Sequence, residues 1–226
     1  MLVLRKMLML CGLALGFILL LQGRIYAFEA TLTYTVGSIS VIRGGNPVSV
    51  QIGMTIQKGD IIQTSLGSTA IISIDETTDI KVRENTSLDI EKVKDDIRVN
   101  LFSGSIFSRI IGKLRGTYSV STETVLAGVR GTEFFIAFGK QIDDLPDVWL
   151  CVNSGSVKVE VIATGASAVI REGEGINILG GTNLTPAKRY KWTKQLNWNM
   201  DPAQGDVEDR TDLSQAYDDL LDQDYD

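Results

Sequence analysis

No histidine occurs in the 226 residues. Its absence removes the commonest general base and metal ligand, and with them every Ser–His or Cys–His pair. Cysteine is almost as scarce. Cys11 lies in an apolar N-terminal run that export would remove, which leaves Cys151 alone and excludes an intramolecular disulfide in the mature chain. Within Val148-Trp-Leu-Cys-Val152 it holds a strand-like position and reads as a buried, inert thiol. Walker-type loops, a Gly-x-Gly-x-x-Gly turn after a strand, His-Glu-x-x-His and Cys-x-x-Cys are missing too. The expectation is a protein that is not an enzyme, with no catalytic residues, no cofactor and no metal site. A broad charge of one sign is also lacking. Residues 28–200 carry 18 basic and 18 acidic groups, and 201–226 carry one basic and ten acidic. With a neutral body, neither nucleic acid nor an anionic membrane is an expected partner.

Long hydrophobic runs are confined to the N-terminus. Arg5 and Lys6 precede an apolar stretch from Met7 to Leu21, and Ala27 offers a small residue before Phe28. That is the layout of a secretory signal over residues 1–27, with a periplasmic or otherwise extracytoplasmic destination. The run is short for a membrane span, so a stable span is expected only if the signal is kept as an anchor.

Residues 28–185 alternate with period two and break repeatedly at glycine and acidic turns, as in Thr31-Leu-Thr-Tyr-Thr-Val36, Gly44-Gly-Asn-Pro47 and Thr69-Ala-Ile-Ile-Ser-Ile74. Many short strands at this spacing, with no helical period before residue 185, predict an all-β antiparallel sandwich or flattened β-roll. Lys58-Gly59-Asp60 reads as a turn, with Asp60 bonded to nearby backbone amides. Gly37-Ser-Ile39, Gly104-Ser-Ile106 and Gly155-Ser-Val157 recur at turn-to-strand transitions at unequal intervals, and read as one hairpin geometry reused. In Gly128-Val-Arg-Gly-Thr132, the glycines mark a backbone that needs positive φ, a bulge or close approach of another strand. Arg130 between them reads as a structural arginine. Asp143, Asp144 and Asp147 around Pro146 read as a solvated loop, with an acid/base pair as the minor alternative.

Thr185-Pro186 supplies a helix start, and residues 186–200 are predicted to be a short C-terminal helix that interleaves Lys188, Arg189, Lys191 and Lys194 with Tyr190, Trp192 and nearby Trp198. Two roles are open for these aromatics: covering an exposed end of the β domain, or docking on a protein or sugar through Tyr190, Trp192 and Trp198. The acidic tail, 201–226, carries Leu213, Tyr217 and Leu220 at helical spacing and is read as disordered or as a short amphipathic helix on a partner.

From residue 36 to about 180 the chain resembles the FecR domain, the extracytoplasmic β-domain named after a ferric-citrate signalling regulator. The resemblance is carried by Gly53-Met-Thr-Ile-Gln-Lys-Gly-Asp-Ile-Ile-Gln-Thr64, Ser68-Thr-Ala-Ile-Ile-Ser-Ile74 and Val99-Asn-Leu-Phe-Ser-Gly-Ser-Ile106. Val120-Ser-Thr122, Gly128-Val-Arg-Gly-Thr-Glu-Phe134 and Val152-Asn-Ser-Gly-Ser-Val157 complete it. It implies that Gly59, Asp60, Gly128, Arg130, Gly131, Thr132 and Phe134 are structural motif positions. Thr122-Glu123 stands where the family often has Thr-Pro, and Asp75-Glu-Thr77 where it often has Asp-Gly-Ser; both are turn changes. The regulator itself begins with a cytoplasmic sigma-handling part, whereas this sequence opens on an export signal, so signalling to a sigma factor is not expected. The function expected is an exported, non-catalytic binding or scaffolding module of the bacterial cell envelope, within a sensing assembly, whose partner is another envelope protein or a cell-wall polymer. The alternative is a carbohydrate-binding surface module using Trp192 and Trp198.

Overall fold

Period-two alternation becomes strand after strand in the computed structural model, which describes residues 30–222 apart from 76, 94, 113–114, 130 and 140–145. The chain begins with β1 (Ala30–Val36), β2 (Ile39–Arg43), β3 (Asn46–Val48), β4 (Thr55–Ile56), β5 (Ile61–Thr64) and β6 (Thr69–Ile74). There follow β7 (Thr78–Val82), β8 (Ser87–Val93), β9 (Asp96–Ile110), β10 (Tyr118–Ser121), β11 (Val125–Val129) and β12 (Glu133–Phe138). The series closes with β13 (Val148–Ser154), β14 (Ser156–Val161), β15 (Ser167–Arg171), β16 (Glu174–Leu179), β17 (Asn183–Leu184) and β18 (Lys188–Arg189). Two 3-10 turns, Lys191–Lys194 and Pro202–Gln204, lead to the one α-helix among the described residues, α1 (Leu213–Asp222).

All eighteen strands form one hydrogen-bonded system folded over into two layers. One layer runs β4-β1-β6-β7-β9-β12-β13-β16, with β17 and β18 on the edge of β16. The other runs β3-β2-β5-β8-β9-β10-β11-β14-β15. The long strand β9 belongs to both: residues up to Ser103 pair with β8, and those from Gly104 on pair with β12. Among the described residues every strand pairing is antiparallel except β9 with β10, which is parallel. The expected antiparallel sandwich or flattened roll is what forms, with that single parallel ladder making it mixed.

The three Gly-Ser recurrences are not hairpins. Each marks a place where the chain leaves one layer for the other: between β1 and β2, inside β9, and between β13 and β14. Gly37, Gly104 and Gly155 have φ of +77°, +92° and +80°. The opposing corner sits so close that a Cβ at Gly37 would lie 2.9 Å from the Ser68 Cα, at Gly104 2.5 Å from the Thr86 Cα, and at Gly155 2.6 Å from the Gly131 carbonyl oxygen. Hydroxyls fasten these corners. Ser38 N–H donates to Ser68 Oγ at 2.8 Å, Ser105 N–H to Thr86 Oγ1 at 2.9 Å, and Thr132 Oγ1–H to the Ser156 carbonyl at 2.9 Å.

The core between the layers takes alternate residues, such as Ala70, Ile72, Ile74, Phe134, Ile136, Leu150 and Val152. In the layer containing β12, the intervening residues are buried as well: Ile71, Phe107, Phe135, Ala137, Trp149 and Cys151 form a second cluster with Tyr190, Leu196, Met200, Val207, Leu213, Ala216, Tyr217 and Leu220. This sheet is therefore covered on both faces, which is why Phe134–Phe138 and Val148–Val152 read as unbroken apolar runs.

The cover is the C-terminal segment, and it corrects two expectations. Residues 186–200 do not form the expected helix but an extended entry followed by the single 3-10 turn Lys191–Lys194. Thr185 bonds the Asn177 carbonyl and N–H with its hydroxyl instead of capping, and Lys188 and Arg189 pair as β18 with Gly175 and Glu174. The free edge of β16 thus wins over local helix propensity. The helix lies in the acidic tail instead, where the Asp212 carboxylate caps the Ser214 and Gln215 N–H groups at 3.1 Å. Leu213, Ala216, Tyr217 and Leu220 recur at helical spacing and are buried, against the chain's own sheet.

Candidate functional site

The covering segment is held by ionic anchors on β7 and just beyond it. Lys81 points outward from the sheet, 4.3 Å above the centre of the Phe107 ring, and donates to the carbonyls of Asn197 and, at 3.0 Å, Asn199. Burial drives its pKa down to about 8, against the pull of Asp209 and Glu133 and with the push of Arg83 and Arg109. Arg83 donates to the Asp209 carbonyl at 3.0 Å and the Thr211 carbonyl at 3.1 Å, and its Nε lies 3.3 Å from the Asp209 carboxylate. Asp209 in turn accepts from Asn197 N–H at 2.7 Å. At the other end, Tyr190 donates its hydroxyl proton to the Ala216 carbonyl, and Tyr217 donates to Asp147, whose other oxygen accepts from Gly180 N–H at 2.5 Å.

Beside this cover a groove of about 760 Å³ opens to solvent. Its walls come from the end of β13 (Asn153), the β15–β16 turn (Glu172, Gly173), the end of β18 with Tyr190, and the 3-10 turn that follows. Arg189, Lys191 and Lys194 supply cations, with Glu172 the acid among the lining residues. Arg189 and Lys194 are exposed, and among the described residues neither forms an ion pair. Lys191 lies 3.3 Å from Asp219 of α1, a carboxylate that also accepts from Trp192 Nε1–H at 2.6 Å. The Trp192 hydrogen bond, then the one from Lys191, holds the Asp219 carboxyl below its usual range.

The residues expected to dock a partner are placed mostly inward. Tyr190 is buried at 3% exposure, edge-on to Trp149 at 6.0 Å. Trp198 is half-buried, stands edge-on to Phe107 at 5.0 Å, and donates its indole N–H to the Thr193 carbonyl at 2.6 Å. Trp192 is half-buried, its indole N–H held by Asp219. These rings extend the second core; the open surface beside them is ionic.

The motif residues divide. Gly59 has φ +85° with open space around it, and Asp60 is fully buried. Asp60 accepts from Gln57 N–H at 2.8 Å, as expected, and also from Arg43 through two bonds of 2.8 and 2.7 Å. Burial, the largest single influence, works to raise its pKa, but Arg43 and the Gln57 amide together hold it below the usual carboxylate range. Gly131 has φ +64°, Thr132 is the corner hydroxyl described above, and Phe134 lies in the core edge-on to Tyr118 at 6.3 Å. Gly128 departs from expectation: it sits in regular strand β11 opposite Ser119 and Lys158, without positive φ, and nothing lies within 4 Å of where its Cβ would be. Arg130, Asp143, Asp144 and the signal at 1–27 fall outside the described residues. Asp147, used by Tyr217 and Gly180, is an anchor rather than a solvated loop residue. Cys151 is free and buried, and burial pushes its thiol pKa far up.

Sequence reasoning missed Lys81, Arg83, Asp209 and Arg43. The signal available for the first two was a pair of cations at alternate positions of an otherwise apolar strand, Ile80-Lys-Val-Arg83, where a solvated face is the ordinary reading.

Residues 60–158 match the family model described as FecR protein, so the resemblance carried by the motifs holds over that span. No curated protein matches the chain. Two crystal structures of a candidate anti-sigma factor from Parabacteroides distasonis ATCC 8503 are similar in fold, each 17% identical with a TM-score of 0.50, covering 57% of this chain and 59% of that one. The chain thus spans about three fifths of the length of the structures it matches, and at this identity the likeness is one of fold.

Proposed function

We propose that this chain is an exported, non-catalytic binding module of the bacterial cell envelope that works within a sensing assembly by holding a partner protein. The observation that carries the reading is the FecR match over residues 60–158. The fold likeness to a candidate anti-sigma factor adds support for a regulatory setting. The molecule's own architecture fits such a role: its apolar sheet face is closed by the C-terminal segment, and the surface left beside it is a groove with exposed cations. A sugar-stacking role for Trp192 and Trp198 draws no such support: both rings are half-buried against the second cluster, and neither lines the groove.

The test is an envelope fractionation with site-specific photocrosslinking. The full chain is expressed with its own N-terminus and carries a photocrosslinker at Gln195 in the groove or, as control, at Lys158 on the opposite sheet. The expected result is an extracytoplasmic protein with the mass of a chain starting at Phe28 or of the anchored precursor, crosslinked to a defined envelope protein from Gln195 alone. Retention in the cytoplasm, or the same products from both positions, would overturn the reading.

A further inference from the structure

We propose that the groove lined by Asn153, Gly173, Arg189, Tyr190 and Lys194 binds an extended acidic peptide segment of the partner protein, with peptide carboxylates placed on Arg189 and Lys194. The inference deepens the binding-module reading and rests on it for the partner being a protein.

Four observations lead there. The first is local charge: between residues 28 and 200 the sequence balances acid and base, yet this groove gathers Arg189, Lys191 and Lys194 against Glu172. Exposed cations at one concave place attract an anionic ligand and set its register. The second is a worked example on the rim. Asp219 of the chain's own acidic helix already sits on Lys191 and the Trp192 indole N–H, which shows the carboxylate chemistry this segment accepts, while Arg189 and Lys194 remain outside any ion pair among the described residues. The third is backbone. β18 pairs with β16 along one side, and Tyr190 N–H continues that pairing to the Gly173 carbonyl, so the Arg189 N–H and C=O between them point the other way, where an extended chain could lie. Gly173, with φ +79° and open space around it, leaves room for a backbone to approach. The fourth concerns what is not offered. Tyr190 is the aromatic residue of the lining, and with its ring edge-on to Trp149 and its hydroxyl on Ala216, it gives no platform on which a sugar could stack. A volume of about 760 Å³ suits a short peptide stretch.

The experiment is fluorescence anisotropy on the full-length protein. The probes are a labelled eight-residue Asp/Glu-rich peptide, its Asn/Gln counterpart and a polyuronate oligomer of equal charge, each measured over a salt series. The expected result is selective binding of the acidic peptide that weakens with salt and falls about tenfold in R189E/K194E, the size expected when two exposed ion pairs become repulsions. R189Q/K194Q should fall less, and K158E on the other sheet should bind like the parent. Equal loss in K158E, indifference to salt, or no binding would overturn the groove as an acidic-peptide site, and tighter binding of the polyuronate would overturn the peptide assignment. Unchanged melting temperatures of the variants exclude unfolding as the cause. Failure here with the Gln195 crosslink intact removes this inference alone, whereas loss of both removes the module reading as well.

Discussion

Lys81 should make the protein more stable as the solution turns alkaline. Its ammonium is fully buried beneath the C-terminal cover, and burial lowers its pKa to about 8 from 10.5. A lysine whose folded pKa is depressed binds fewer protons in the native state than in the unfolded one throughout the interval between the two values. Stability must therefore rise with pH from about 8 to about 10.5. Each unit corresponds to about 1.4 kcal/mol, so the gain between pH 7.5 and 9.5 works out at about 2 kcal/mol. The neutral amine still has two N–H groups for the Asn197 and Asn199 carbonyls, so deprotonation need not break the anchor. The assay is urea denaturation of the wild type and Lys81→Met at a series of pH values, with other titrations cancelling in the difference. Tryptophan emission is well suited, since Trp149, Trp192 and Trp198 belong to or pack against the cluster under the cover. The wild-type stability minus that of Lys81→Met should climb by about 2 kcal/mol over this window. A flat difference would show that Lys81 is solvated, and would refute both its burial and the closed position of the segment above it.

Three further outcomes follow from the same geometry. Gly104→Ala, with φ +92° and a Cβ that would lie 2.5 Å from the Thr86 Cα, should cost upward of about 2 kcal/mol in thermal unfolding, while Gly128→Ala should change stability by less than about 0.5 kcal/mol; equal melting temperatures would contradict the corner assignment. The stability that Asp60 gains from Arg43 and the Gln57 amide should be present above the unfolded carboxyl pKa of 3.8 and lost as pH falls through the lower folded value, so the wild-type advantage over Asp60→Asn seen at pH 7 should shrink once the pH drops below 3.8. Tyr217→Phe leaves the buried Asp147 oxygen without its donor and should cost about 1–3 kcal/mol, read as faster hydrogen exchange in residues 213–222 with little change in the strands between the two layers.

Much of the β architecture was legible because it is written locally. Alternation in Ile97–Leu101 and the Lys58-Gly59-Asp60 turn need only neighbouring residues to be read. Gly37, Gly104 and Gly155 were visible as special backbone positions, but a glycine announces positive φ without saying which layer the next strand will join. The apolar runs at Phe134–Phe138 and Val148–Val152 carried the further message that both faces of that sheet are buried. Residues 186–200 were misread because helix propensity is local, while the edge of β16 that captures Lys188 and Arg189 is a tertiary fact. The spacing of Leu213, Tyr217 and Leu220 gave the helix but not its berth, since the segment leading into it is held by Lys81 and Arg83, which lie 116 to 128 residues before the carbonyls they bind. The ionic groove was obscured in the same way, its walls being assembled from Asn153, the 172–173 turn and residues 189–195.

That separation also sets an order of events. Synthesis proceeds from the N-terminus, so Phe107, Phe135 and Trp149 exist for the whole interval before residues 190–220 arrive to shield them. Throughout that interval the nascent domain presents an oily sheet face to its surroundings, and closing it requires contacts of high sequence separation, which form slowly. A chain stopped at residue 185 would hold every strand from β1 to β17 and still be sticky, a natural client for whatever chaperone meets it first.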